Sequence, residues 1–254
     1  MLEVSPHAEI FVARITQNGE INPNIVAEVG APHKTFCFKY DMLMLIELQA
    51  IKYAIDNWEV DIITLSFGFP ELQPIIDNAL THAAEKNTIL LAAASNFGNR
   101  HSIAWPARSE KVICIHSLNG DGDHSSYSPD SRPQDFGILG QAVSSYSPPH
   151  RNAGISVLRS GTSCAASIAA GVAALVLEYA QQKLERYTRP GPGSNVDKHV
   201  IQRLRSNAGM RMIFELMAKN RDGQNCIIPW SLLGYPGRTE STTCEIILEK
   251  LRNL

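Results

Sequence analysis

Apolar positions along the 254-residue chain change their period several times. Between Asp41 and Asn57 they fall at Leu45, Leu48, Ile51 and Ile55, the three- and four-residue spacing of a helix with one buried stripe, and Asp41 is placed to cap its first turn. Asp61 to Phe67 and Thr88 to Ala94 are instead near-continuous apolar runs, the pattern of strands buried on both faces of a parallel sheet. Leu72 to Lys86, between them, reads as a second helix. Glu9 to Ile15, apolar at Ile10, Val12 and Ile15, reads as a first strand, and a Gly/Asn/Pro-containing loop follows through Pro32. Val112 to His116 and Ile138 to Val143 read as further strands, Ile155 to Leu158 as a short β-branched segment, and Ser163 to about Tyr187 as a long Ala-rich helix. This alternation predicts an α/β fold, a three-layer, doubly wound and mostly parallel sheet, with ligands gathering at the carboxyl ends of its strands. Ser66, Phe67, Gly68, Ser95, Asn96 and Ser163 all fall at or just beyond such ends.

Beyond the long helix, Arg189-Pro190-Gly191-Pro192-Gly193-Ser194 reads as a linker or turn. Asn195 to Lys219 follows as one or two helices broken near Asn207-Ala208-Gly209, then Ile227-Ile228-Pro229-Trp230 as an apolar anchor. The tail from Cys244 to Leu254 suits a terminal helix packed back on the core. The expected organisation is a core over residues 4–188 and a linker with a C-terminal helical region over 189–254.

Composition narrows the function classes. A hydrophobic content of 44% supports a sizeable core, and a net charge of −2 gives no electrostatic case for nucleic acid or an anionic membrane. No run approaches the roughly 20 apolar residues of a membrane span, and Met1 to Pro6 has neither a basic nor an apolar leader region. Five scattered cysteines without CxxC spacing argue against a disulfide framework and a structural zinc site. A reducing, intracellular setting is expected, with no metal and no cofactor.

The chemistry centres on Arg159-Ser160-Gly161-Thr162-Ser163-Cys164-Ala165-Ala166, where a short segment enters the long helix. Unpaired N–H groups at a helix start favour negative charge, so an oxyanion forming beside Ser163 would be stabilised. Ser and Thr ahead of an apolar helix are equally the commonest caps, and the octapeptide alone leaves both readings open.

Gly161-Thr162-Ser163-Cys164-Ala165, followed by Ala169, Ala170, Gly171 and Ala173-Ala174-Leu175, resembles the nucleophile motif of the subtilases, the subtilisin-like serine peptidases. Ile89 to Asn99 resembles the strand and loop carrying that family's oxyanion asparagine, Asp61 to Gly68 its substrate-binding strand, and Val4 to Arg14 the segment shortly after its catalytic histidine. The four blocks stand in the family order over roughly residues 4 to 180. Cys164 and Ser167-Ile168, where the family usually has Pro-His, depart from the pattern. The resemblance implies a subtilisin-like fold, Ser163 as nucleophile and Asn96 as oxyanion donor. It implies backbone pairing of extended peptide along Ser66, Phe67 and Gly68, a primary specificity pocket lined by Ala93, Ala94 and Ser95, and substrate contact at Gly161 and Thr162. The bland readings beside these are a turn residue for Asn96, strand-end structure for Ser66 to Gly68, and tight packing for the alanines.

The family's aspartate lies in a strand ending Asp-Ser/Thr-Gly and its histidine opens a helix as His-Gly-Thr-His. Neither motif occurs in this sequence, and the resemblance places both ahead of the first matching block. His7, His82, His101 and His116 are the alternatives, and a lone histidine is far more often a surface or satisfied core residue than a base. Two functions follow as expectations. One is a serine endopeptidase by lineage, its Asp and His missing and therefore inactive as this chain; the other is a non-catalytic pseudopeptidase that binds extended peptide. An esterase is disfavoured because the motif lacks the second glycine of a nucleophile elbow. The resemblance puts the absent aspartate strand between Glu9–Ile15 and Asp61–Phe67, so its loss would leave the inner edges of both unpaired or force them to pair directly in a new register, and the chain is expected to be marginal and aggregation-prone alone, or covered there by its missing N-terminal segment or by a partner.

Overall fold

A computed structural model describes residues 4–12, 39–146, 156–184 and 198–254. Six strands form one sheet in the order β1 (Ile62–Leu65), β2 (Ile89–Ala93), β3 (Ile113–Leu118), β4 (Phe136–Leu139), β8 (Gln224–Ile227), β7 (Ala218–Arg221). Pairing is parallel from β1 through β8, and only the β7–β8 hairpin is antiparallel. Before each strand of the first pair runs a helix, α1 (Lys39–Asp56) and α2 (Pro74–Glu85). A second antiparallel ribbon, β5 (Val143–Tyr146) with β6 (Ser156–Arg159), leads into α3 (Thr162–Tyr179), which ends in a π turn over Ala180–Leu184. The chain closes through α4 (Lys198–Arg203), α5 (Asn207–Met217), β7, β8 and α6 (Glu240–Arg252).

The three layers follow from the period-two alternation of β2, every residue of which is buried. Ile89, Leu91 and Ala93 face α3, α5 and α6 in one core cluster, while Leu90, Ala92 and Ala94 face Ile51 and Ile55 of α1 and Ile76, Ala79, Leu80 and Ala83 of α2 in the other. The continuous apolar runs in the sequence are therefore strands covered on both sides. Helix α3 lies across β1 to β4, and its Ala165, Ala166, Ala169, Ala170 and Ala173 are all buried, small side chains that let the helix axis approach the sheet.

Several expectations change. Residues 9–12 form no strand: Ile10, Phe11 and Val12 are exposed, and Phe11 stacks on Trp58 at 5.0 Å rather than pairing with the sheet. Ala13 to Ile15 lie outside the described residues, as does the Arg189–Ser194 linker. The run Ile138–Val143 is two strands, because Ala142 takes a left-handed φ of 54° and turns the chain out of the sheet. The break between α4 and α5 comes before Asn207, where the Ser206 hydroxyl accepts the Gly209 N–H as a cap. The β7–β8 hairpin, turned at Asp222-Gly223, was not anticipated; it extends the sheet beyond β4. The span Thr162–Leu184 does reach the length and apolarity of a membrane helix, with a mean hydropathy of 1.6, but half of that window is buried inside the protein. At the other end, β1 is the sheet edge among the described residues, with Ile62, Ile63 and Thr64 only half-buried.

Candidate functional site

The carboxyl ends of β1 and β2 and the start of α3 converge. Helix α3 begins after Gly161, whose φ of 157° and ψ of 156° lie in a region essentially reserved for glycine. The Gly161 N–H donates to Gly140 O at 2.9 Å, which ties the helix start to the end of β4. Gly140 itself has no room for a side chain, since a Cβ there would stand 2.5 Å from Ser117 Oγ and 2.8 Å from Ala165 Cβ. Two residues past β2, Ser95 takes a φ of 154°, rare for a residue with a side chain, and delivers Asn96 to solvent.

Asn96 Oδ1 accepts the Thr162 N–H at 2.8 Å and the Thr162 hydroxyl at 3.1 Å. An N–H can only donate, so the amide oxygen is fixed on Thr162 and the Nδ2 group turns away from it. Nδ2 has no hydrogen-bond partner among the described residues, and it lies 3.5 Å from where a Gly161 Cβ would stand. In the first turn of α3, Thr162 N–H is held by Asn96, while Cys164 N–H and Ala165 N–H both donate to Gly161 O. Ser163 N–H is left without a partner among the described residues. Two donors thus stand open at the start of α3 among the described residues, Asn96 Nδ2 beside Gly161 and the N–H of the half-buried Ser163. The adjacent Cys164 thiol is pushed up by burial, with Arg159 opposing, so it is not an activated thiolate.

No described histidine bonds to Ser163. His7 pairs with Glu178 at 3.1 Å, His82 with Asp56 at 2.8 Å, and the His101 ring sits edge-on to Phe97. His124 faces His116, and its burial together with that neighbour lowers its basicity. His33, His150 and the side chain of His199 lie outside the described residues.

The other expected residues form the flank of this site. Ser66 and Gly68 are exposed and Phe67 is half-buried, and the Phe67 and Gly68 backbone groups have no hydrogen-bond partner among the described residues. Ala93 and Ala94 are buried and Ser95 is half-buried. A returning segment closes the space between the two strand ends. Phe69 N–H donates to Trp105 O at 2.7 Å, Trp105 N–H to Phe69 O at 2.9 Å, and Ala104 N–H to Ala94 O at 2.8 Å. Ala104 carries no sequence signal of this role, because it comes from an aperiodic loop.

A separate polar cluster was also not foreseen. Cys114, His116 and Asp135 are buried with ligand atoms within 4.8 Å of one another, a set that could hold a metal ion. Their donors are already engaged. Asp135 is bridged by Arg132 at 2.8 Å and by His116 Nε2 at 3.2 Å, and His116 Nδ1 lies 3.0 Å from Pro129 O. Nε2 faces Asp135 and Nδ1 faces Pro129 O and the Ser128 hydroxyl, so a cation could enter only by breaking bonds that both ring nitrogens and the carboxylate already make. Burial raises the Asp135 carboxyl, but hydrogen bonds from His116 and Arg132 outweigh it and hold it below the ordinary value. The Cys114 thiol is pushed well up, first by burial and then by Asp135. The cluster does not fit a metal.

A model of the Subtilase family matches residues 5–223 of the chain. The subtilisin-like protease het-Q2 of Podospora anserina is 27% identical over 232 residues, covering 88% of this chain and 58% of that protein. The intracellular serine protease of Paenibacillus polymyxa is 31% identical over 143 residues, 55% of this chain and 42% of that protein. The major intracellular serine protease of Bacillus subtilis is 27% identical over a similar share, and 43% of its length is covered. The chain thus spans 58% or less of the length of these curated relatives. Among solved structures, the prenylagaramide maturation protease PagA superposes with a TM-score of 0.56 at 21% identity, covering 88% of this chain and 71% of that one. The PatG macrocyclase domain gives 0.57 at 18% identity, with 83% and 57% covered. At these identities the structural likeness speaks for the fold.

Proposed function

The chain belongs to the subtilase family, and we propose that it carries the nucleophile half of a serine endopeptidase site, with Ser163 as nucleophile and Asn96 Nδ2 and Ser163 N–H as the donors that receive the oxyanion. The observation that carries this is the amide of Asn96, whose oxygen is spent on Thr162 and whose nitrogen, without a partner among the described residues, lies beside Gly161 at the start of the Ser163 helix. A donor so oriented is pre-organised and needs no rearrangement when charge develops. Thr162 acts by holding that amide, and Gly161 by letting the chain approach it. Extended peptide lies along Ser66, Phe67 and Gly68, using their open backbone groups as an added strand would, with Ala93, Ala94 and Ser95 beside its side chain.

No described histidine reaches Ser163, and the sequence contains neither Asp-Ser/Thr-Gly nor His-Gly-Thr-His. A serine without a base keeps an unperturbed hydroxyl and is a weak nucleophile. The isolated chain therefore binds peptide without cleaving it, as a pseudopeptidase would. Cleavage requires a base and aspartate from another segment, which would also cover the open edge of β1. An intracellular setting is supported by the names of the two bacterial intracellular relatives and by the four described cysteines, all of them free.

The test is fluorescence anisotropy of a labelled peptide ending in a free carboxylate, whose oxygens occupy the oxyanion position. Asn96→Asp keeps the acceptor that caps Thr162 but replaces the donor with a negative charge, so binding should fall about tenfold or more while the melting temperature holds. Equal binding by wild type and Asn96→Asp would remove the oxyanion assignment. Chromatography of the same mixture should show intact peptide.

A further inference from the structure

The two donors assigned to the oxyanion stand on different segments, Asn96 on the loop after β2 and Ser163 on the first turn of α3. Besides the Asn96–Thr162 contact, these segments share a support behind them. It is the polar stretch Ser125–Asp130 between β3 and β4, turned by the Ser128 N–H bond to Ser125 O at 2.9 Å. On one side this stretch holds the Asn96 loop. Tyr127 O accepts the Gly98 N–H at 2.7 Å, and Gly98, at a left-handed φ of 56°, lies so close that a Cβ there would stand 3.0 Å from Ser126 O. Asn99 and Asp130 exchange a further pair of bonds, Asn99 Nδ2 to Asp130 Oδ1 and Asp130 N–H to Asn99 Oδ1, both at 2.9 Å. On the other side, the hydroxyl of the half-buried Tyr127 lies 3.1 Å from Gly140 O, the same carbonyl that accepts the Gly161 N–H. It also lies 2.8 Å from Oγ of the buried Ser117. A carbonyl oxygen only accepts, so the one phenolic hydrogen goes to Gly140 O and Ser117 donates to the phenol. Tyr127 thus holds the Asn96 loop by its backbone and the Gly161 turn by its side chain.

We propose that Tyr127 is a positioning residue: by tying the Asn96 loop and the Gly161 turn to one side chain, it keeps Asn96 Nδ2 and Ser163 N–H in the mutual placement that receives a negatively charged oxygen. The inference rests on the oxyanion reading above. Its physical basis is directional. A donor works only at the right distance and angle, and these two belong to segments that are not continuous in the chain, so a small relative shift weakens both together. Tyr127→Phe isolates the effect, because it keeps the ring and the backbone carbonyl on Gly98. Gly140 O keeps the Gly161 N–H, and Ser117 keeps Ser125 Oγ at 3.0 Å, so no partner is left without a bond.

The experiment uses two labelled peptides of one sequence, ending in a free carboxylate or in a carboxamide. Their dissociation constants are read by anisotropy on the full chain, on Tyr127→Phe, on Asn96→Asp and on the double variant. The unaltered chain should prefer the carboxylate, and Tyr127→Phe should cut that preference about threefold to tenfold in a sample that still melts cooperatively. On the Asn96→Asp background the same change should leave the ratio where it is, because the donor that Tyr127 places is gone. If Tyr127→Phe fails to fold, Ser117→Ala, which removes the hydroxyl that orients the phenol, must lower the preference instead. A preference unchanged in the folded variant, or an equal loss for both peptides, would overturn the positioning role while leaving the oxyanion reading in place. Equal binding of the two peptides by the unaltered chain would overturn both.

Discussion

Two polar groupings built on the same sheet differ in how their hydrogen-bonding capacity is used. Around Asp135 every strong group is matched: the carboxylate takes Arg132 and His116, His116 turns its other nitrogen to Pro129 O, and Arg132 also donates to Arg108 O and Ala107 O. His116 and Asp135 are sealed from solvent. Around Asn96 and Ser163 the groups are half-spent and open, with one amide oxygen bonded and, among the described residues, one amide nitrogen, a helix N–H and a serine hydroxyl without partners. Both clusters contain residue types that catalysis uses, and Cys114, His116 and Asp135 look superficially richer than Ser163 and Asn96. Saturation separates them: a network with no capacity left holds the protein together, and one with donors aimed at empty space can take a ligand.

The sharpest way to break this comparison is Asp135→Asn. It leaves Arg132 and His116 without their shared anion and should cost about 3–5 kcal/mol, seen as a large fall in melting temperature. Peptide affinity per folded molecule should stay unchanged. Because the folded carboxyl sits below its ordinary value, its contribution is present above about pH 4 and is lost as pH falls through the folded value, so the unaltered chain should lose stability on acidification. If Asp135→Asn abolished peptide binding in a folded sample, the separation of the two clusters would fail.

Glu47 sharpens the contrast from the other direction. It is buried on α1, its Oε2 has no partner among the described residues, and burial pushes its carboxyl up to about 8. A raised folded value means that stability is fully present below the unfolded value and declines as pH rises through about 8. Glu47→Gln should therefore stabilise the chain at pH 8 by on the order of 2–4 kcal/mol and change little near pH 4, as thermal melts at the two pH values would show. The smallest effect is expected at Ser95. Replacing it with glycine relieves the φ of 154° and should raise stability by about 1 kcal/mol, some 2–4 °C, as a thermal melt would show.

How much of this the sequence could disclose depended on whether local pattern and tertiary need coincide. Thr88–Ala94 was legible because a strand buried along its whole length has no polar position to interrupt the run, and Asp61–Phe67 because apolar residues dominate it even at the sheet edge. The helix entering at Ser163 was legible because close packing on a sheet demands alanine. Ile138–Val143 was misleading, since one left-handed residue, Ala142, splits an apolar run without any change in hydropathy. Ile10 and Val12 alternate as a strand would, yet strand formation needs a neighbour, and the described residues offer none. At the site, Asn96 and Gly161 to Ser163 stood in motifs. Ala104 and the fixed orientation of the Asn96 amide did not, because both arise from chain segments that meet only in the folded protein.

In the proposed site, Ser163 has prepared oxyanion donors and no base among the described residues. Labelling by a fluorophosphonate probe tests it most directly, run on purified, cooperatively melting chain beside Ser163→Ala. Labelling at the background level of Ser163→Ala, in a sample that still binds peptide through Asn96, is the predicted result. Rapid labelling that depends on Ser163 would contradict the account, because it would require a base within reach of that hydroxyl.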